Sequence, residues 1–336
     1  MNDAFAKLVR EIPQIGIDWH RETILENSRR NFQYAEAKRT LRDIEPYSMP
    51  DALIISAGPS LYRRDMIARI KALDFRGHLI AIDGSFVQCL RAGVRGNVNY
   101  VMTLDPHPTR IVRWFGDPDF AVNSAGDDYF ERQDLDESFR RDAERTNAEN
   151  IELVNLQHPA WDLIMCCTAP ENVVARTWQT KPQWRPYWFA PLVDNPALPG
   201  SLTRQIAEIT KLPALNTGGT VGTAAIMFAH CVLKAKRIAV VGMDLGYAAD
   251  TPLERTQSWN MLKDKPNVKD YYPHVDHPVW GECYTDATYA WYRQNLLALL
   301  KSAGRTLFNC SEGGALFGPH VECMTLEEWW PWGARG

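Results

Sequence analysis

Along this chain, short and almost unbroken apolar runs alternate with stretches in which apolar residues recur at helical spacing. The runs are Ala52–Ser56, His78–Ile82, Tyr100–Leu104, Ile151–Asn155, Arg237–Val241 and Thr306–Asn309. Each is bounded by Gly, Asp, Asn or Pro nearby, and such runs read as strands covered on both faces. Helical patterns lie between most of them, at Leu61–Leu73, Ser85–Ala92, Thr220–Lys234 and Asp286–Ala303. Strands alternating with helices of this length predict a Rossmann-like, doubly wound α/β fold, a mainly parallel sheet with helices on both faces. The last helix is the best punctuated, with Thr285 or Asp286 as N-cap and Gly304 just past its end.

Residues 1–48 read as an N-terminal helical extension. The stretch from Arg21 to Arg42 has good helix formers and only a weak apolar stripe (Ile24, Leu25, Phe32, Ala35, Leu41). It is polar enough to lie across a domain or between subunits, and Pro46 and Pro50 close it. Residues 49–325 are then one nucleotide-binding transferase domain, and 326–336 a tail. Two stretches inside the domain break the rhythm: 179–200, rich in proline and aromatics, and 248–283 after the fifth strand. Both read as lid or acceptor loops, the usual role of long irregular segments in a folded domain. The highly charged segment 127–150 reads as a solvated helix or linker.

Composition narrows the class. With 336 residues, 37 basic and 41 acidic side chains and a net charge of −4, the chain has no general attraction for nucleic acid or an anionic membrane. No apolar run approaches the roughly 18–20 residues of a membrane span. The start, MNDAFAKLVREIPQ, lacks the apolar core of a secretory signal. Seven scattered cysteines, including the neighbours Cys166 and Cys167, have neither a disulfide framework nor zinc spacing. Reduced thiols in a cytoplasmic protein are expected. Twelve tryptophans, many in loop-like sequence, either pin loops to the core or offer flat platforms to a sugar or base.

Candidate chemistry gathers at the strand ends, which in parallel sheets flank the ligand crevice. The first strand ends in Ser56-Ala57-Gly58-Pro59-Ser60, the second in Asp83-Gly84-Ser85, the third in Asp105-Pro106-His107-Pro108 and the fifth in Gly242-Met243-Asp244-Leu245-Gly246-Tyr247. A strand that stops at Gly58 and feeds a helix start predicts unpaired amides, a ready anion site. Thr217-Gly218-Gly219-Thr220, opening another helix, is a second such cradle. The SAGPSL turn departs from GxGxxG, and Pro59 has no N–H, which argues against a dinucleotide cofactor. Asp83, Asp105 and Asp244 suit a hard cation, ribose hydroxyls, a base edge or caps of their own loops. His274 and His277, with Asp276 between them, suit a general base.

Taken together, SAGPSL, AIDGSF, TLDPHP, NTGGTVGTAAIMFAHCVLKAKRIAVVGMDLGY and FNCSEGGALFG resemble the core domain of the motility-accessory-factor flagellin glycosyltransferases. That domain shares a superfamily with hydroxymethylpterin diphosphokinases of the MptE type. The same order of parts is similar to the family 42 sialyltransferases, which use a CMP-sugar. The resemblance covers roughly residues 20–320. It implies nucleotide contacts at Gly58, Pro59 and Ser60, nucleoside or donor contacts at Asp83 and Asp105, and a donor carboxylate or phosphate at Gly218, Gly219 and Thr220, next to Thr217 of the same cradle. It also implies Asp244 and Tyr247 beside the nucleotide phosphate. The sialyltransferase base is a loop histidine some thirty residues beyond the tyrosine; His277 lies 30 residues after Tyr247, with His274 the second candidate. The long flanking domains of the motility factors have no counterpart here.

The expectation is a cytoplasmic glycosyltransferase moving a sugar, a CMP-activated nonulosonic acid, to a hydroxyl acceptor on a protein or glycan, flagellin-like or otherwise, with no cofactor required. A homo-oligomer is compatible with it. One alternative is a magnesium-dependent diphosphokinase that converts ATP to AMP, with Asp83, Asp105 and Asp244 as Mg2+ ligands. A second is a nucleotide-sugar-binding protein without catalysis.

Overall fold

The computed structural model describes residues 3–35, 39–45, 47–107, 112–123 and 143–331. Pro46, Pro108, residues 127–142 of the charged segment and residues 332–336 of the tail therefore lie outside the described residues. β1 (Asp51–Ile55) and β2 (His78–Ile82) are buried at every position, as unbroken apolar runs covered on both faces require. They lie within a nine-stranded sheet with β3 (Val98–Thr103), β4 (Asp162–Cys166), β5 (Tyr187–Leu192), β6 (Ala214–Asn216), β7 (Arg237–Val241), β11 (Leu307–Asn309) and β12 (Val321–Cys323). A separate three-stranded sheet holds β8 (Tyr247–Ala248), β9 (His274–His277) and β10 (Gly281–Tyr284).

The order of the large sheet is β12-β11-β7-β1-β2-β3-β4-β5-β6, and each of these pairings is parallel. The expected mainly parallel α/β fold is thus present. From β1 the chain builds outward to β6, then returns to place β7 on the other flank of β1. The strand order reverses between β1 and β7, and in open parallel sheets a crevice opens at that switch point beyond the carboxyl ends.

Several elements depart from the sequence reading. Ile151–Asn155 is not a strand but the end of a helix, Ala143–Gln157. Its apolar residues are too few to fix a period, and the helix begins in the charged residues before them. The strand in that part of the sheet is β4, eleven residues later. Within the proline-rich stretch 179–200, residues 187–192 form β5, where Pro191 pairs with Leu215 of three-residue β6 at the sheet edge. Prolines are tolerated near edges, where fewer ladder amides are needed. Leu61–Leu73 is two helices, Ser60–Arg63 and Met66–Ala72, separated by Asp65 at φ 51°.

Helix α1 (Asp3–Ala35) covers the carboxyl edge. Phe5, Val9 and Ile12 pack with Ala287, while Ile24 and Leu25 join the main core. Its polar residues have partners as well. Asn27 Nδ2 donates to the Thr168 carbonyl at 2.9 Å, and Asn31 Nδ2 to those of Cys167 (3.0 Å) and Ala169 (2.7 Å), just beyond β4. The weak apolar stripe is explained: half of this helix's work is to hydrogen-bond carbonyls the sheet leaves open. No helix among the described residues is long and apolar enough to cross a membrane.

Candidate functional site at the carboxyl edge of the sheet

At the switch point the backbones after β1 and β7 touch. The Gly58 amide donates to the Gly242 carbonyl at 2.7 Å, and a Cβ on Gly58 would lie 2.5 Å from that same oxygen. Only glycine fits this approach. The contact carries Asp244 onto the helix that follows β1. Asp244 Oδ2 accepts the Ser60 amide at 2.8 Å, and Oδ1 accepts the Ser60 hydroxyl. This corrects the expectation of an open anion site at Gly58-Pro59-Ser60. The helix start is closed by an internal carboxylate, and the helix itself is only four residues long. Ser60 and Pro59 do not line the cavity described below.

The SEGGA segment explains why Asp244 stays in place. The Ala315 amide donates to the Asp244 carbonyl at 2.6 Å, and a Cβ on Gly314 would meet that carbonyl oxygen at 2.2 Å. Arg69 anchors the segment from the other side through ion pairs to Glu312 (2.6 Å) and Glu327.

The second cradle is open. Helix α8 (Val221–Cys231) has Thr220 as N-cap, whose hydroxyl accepts the Thr223 amide at 3.0 Å. The amides of Val221 and Gly222 head the helix and by position have no acceptor within it. Gly218 and Gly219 take φ of 55° and 91°, and a Cβ on Gly219 would lie 2.5 Å from the Trp291 ring. Asn295 Nδ2 holds the Gly218 carbonyl at 3.3 Å.

A cavity of about 1150 Å³ lies along this edge. Gly58, Asp83, Asp105, Thr217, Gly218, Gly219, Thr220 and Asp244 all line it, so residues far apart in sequence are brought together. Asp83 is buried, accepts the Gly84 amide at 2.7 Å and the Thr103 hydroxyl at 3.0 Å, and burial pushes its pKa up to about 7, with Asp105 adding to the rise. Asp105 accepts the His107 amide at 2.8 Å. Among the described residues, no Lys or Arg lines it.

The three residues expected to be catalytic are elsewhere. Tyr247 donates its hydroxyl to Asp286 at 2.8 Å and accepts the Gln257 amide at 3.2 Å, which braces the N-cap of the helix Ala287–Ala303. Burial, with Asp286 beside it, holds its phenol protonated far above the usual range. His277 is buried on β9 against Phe317 and Trp280. Its Nδ1 accepts the Val279 and Trp280 amides, both at 3.1 Å, so the proton of the neutral ring is on Nε2, facing Cys323 Sγ at 3.6 Å. Burial also lowers its pKa. His274 is exposed on the same strand. None of the three lines the cavity, because the stretch counted as a loop from Tyr247 folds into the β8–β10 sheet.

The Mg2+ ligand set does not assemble either. Both Asp244 oxygens are taken by Ser60, and no group of three or more His, Cys, Asp or Glu side chains among the described residues is placed to hold a metal. Sequence reasoning in turn missed α1, which contributes Ile12, Gly16, Trp19 and His20 to the cavity, and Trp291 and Tyr292 from the last long helix. The Pro13 and Gly16 of IPQIGI were the available signal.

The sheet order and the switch-point cavity make this a Rossmann-like α/β protein. No family model matches the chain, and no curated protein matches it. Among solved structures it is similar in fold to the MAf glycosyltransferase from Magnetospirillum magneticum, with a TM-score of 0.52 and 15% identity. The match covers 90% of this chain and 38% of that one, so this chain spans well under half of that protein's length.

Proposed function

We propose that this protein is a glycosyltransferase whose donor is a nucleotide-activated sugar, a CMP-linked nonulosonic acid. The observation that carries the reading is the cavity itself: it ends on the uncapped first amides of α8 and the Thr217–Thr220 cradle, and among the described residues it is lined by acids without Lys or Arg. The phosphodiester and the sugar carboxylate of such a donor, one negative charge each, suit helix amides and threonine hydroxyls. A triphosphate would meet Asp83, Asp105 and Asp244 with no Lys or Arg among the described lining residues. The fold likeness to a glycosyltransferase agrees with this reading.

In transfer, the α8 amides and the cradle hold the departing phosphate, and water is kept from the anomeric carbon by the aromatic wall of Trp291 and Tyr292. A hydroxyl acceptor on a protein or glycan and a cytoplasmic location belong to the same proposal. A thermal-shift panel of CMP, UDP, GDP and ATP, each with and without Mg2+, tests it. A shift with CMP that ignores chelator is expected, about 2.7 kcal/mol of stabilisation at a hundredfold excess over Kd. A response confined to ATP with Mg2+ would replace the reading with the diphosphokinase. CMP binding without turnover on any hydroxyl acceptor would leave a binding protein.

A further inference from the structure

Helix α1 forms a wall of the cavity whose lining residues are separate from the Thr217–Thr220 cradle. Ile12, Gly16, His20 and Ile24 are spaced four apart, so they share one ridge of the helix, and all four line the cavity. Ile12 and Ile24, at the two ends of the ridge, are buried. Between them Gly16 leaves a notch, where a Cβ would meet nothing within 4 Å. His20, beside the notch, is half-buried and makes no hydrogen bond or ion pair to any described residue.

The mouth next to this ridge is apolar. Trp19 is 80% exposed although it lines the cavity, and Ile15 and Met261 are exposed lining residues as well, at 41% and 39%. Three of the eight exposed large apolar side chains among the described residues therefore line this one cavity. Such clustering marks a surface kept for a ligand, since single exposed apolar residues are otherwise scattered. The cavity, at about 1150 Å³, also exceeds the roughly 300–1,000 Å³ that one small ligand needs. There is room for a second substrate.

We infer that α1 carries the acceptor subsite, which takes an amphipathic glycoside. Its apolar part lies on Trp19, Ile15 and Met261, and its reacting hydroxyl lies against His20 in the Gly16 notch. The inference rests on the glycosyltransferase reading. As the acceptor oxygen bonds to the anomeric carbon, the bond from that carbon to the phosphate oxygen of the donor breaks and its electron pair leaves on the phosphate. The hydroxyl proton passes to the imidazole of His20.

The test uses the full chain with octyl β-galactoside as the acceptor probe, free galactose as its comparison and CMP as the donor-side probe. Octyl galactoside is expected to bind wild type at least tenfold tighter than galactose and to shift the His20 ring resonances. Trp19→Ala, at an exposed position that spares the core, is expected to abolish that preference and to leave CMP affinity within twofold. His20→Gln is expected to cut transfer from CMP-N-acetylneuraminate to octyl galactoside at least a hundredfold. Failure of octyl galactoside to bind, equal binding by wild type and Trp19→Ala, or an unmoved His20 would overturn the acceptor subsite. Unimpaired transfer by His20→Gln would overturn its role as base. An absence of CMP binding, or of wild-type turnover with this donor, would overturn the donor reading instead, and the glycoside and ring-shift results then decide the subsite alone.

Discussion

The Asp244 carboxylate caps the helix after β1, with Oδ2 on the Ser60 amide at 2.8 Å and Oδ1 on the Ser60 hydroxyl. An anion from the protein itself thus occupies the position where the GPSL turn is expected to receive one from outside. Asp244 and Ser60 come from strands β7 and β1 on either side of the switch point, so the contact ties the two halves of the sheet together. The place we propose for an external phosphate is the start of α8.

This division of labour is measurable. Ser60→Ala removes one hydrogen bond to a buried carboxylate and should cost about 1–3 kcal/mol of stability, while CMP affinity stays within about threefold. Gly219→Ala places a methyl 2.5 Å from the Trp291 ring at a φ of 91°. It should weaken CMP by tenfold or more. Denaturant unfolding and calorimetric titration of both variants give the answer; a larger affinity loss in Ser60→Ala would return the phosphate to the first turn.

His277 is expected to matter for folding and not for nucleotide binding. His277→Ala leaves the Val279 and Trp280 amides without their acceptor and opens space beside Phe317. A loss of about 2–4 kcal/mol follows from an emptied, partly polar interior site. The CMP-induced shift in Tm should survive at a temperature where the variant is folded. Loss of that shift in a folded variant would bring His277 back to the site.

Asp83 makes stability depend on pH. Its folded pKa is raised by burial to about 7 from the usual 3.8, so its favourable contribution is complete below 3.8 and is lost as pH rises through 7. Asp83→Asn keeps the acceptor for the Gly84 amide, and the Thr103 hydroxyl can rotate to pair with the new amide. The variant should therefore gain on wild type as pH climbs from about 4 to about 7, by on the order of 4 kcal/mol, and the gain should level off above that. Unfolding curves at pH 5, 6, 7 and 8 would show it; a gain that does not change with pH would mean Asp83 is ionised throughout.

What could be read from the chain depended on whether chemistry was local. β1, β2 and β7 were plain because a fully covered parallel strand is a continuous apolar run, and Asp286 and Gly304 marked their helix because caps are decided within a few residues. The glycines 218 and 219 were readable for the same reason. By contrast, Asp244 as a cap for Ser60 is a contact across 184 positions, and no local pattern separates it from an open ligand site. Likewise β5 was hidden by its prolines, and α1 by polar residues whose partners are carbonyls more than 130 positions away. The thirty-residue count to His277 assumed a loop, and the chain there forms strands.

Hydrogen exchange of the full chain with and without saturating CMP tests the central claim most directly. Slower exchange is expected at residues 216–223 and at 83–86, with little change at 60–63, whose amides are already capped or helical. Protection centred on 60–63 or on the β9–β10 hairpin, with 216–223 unchanged, would contradict the account.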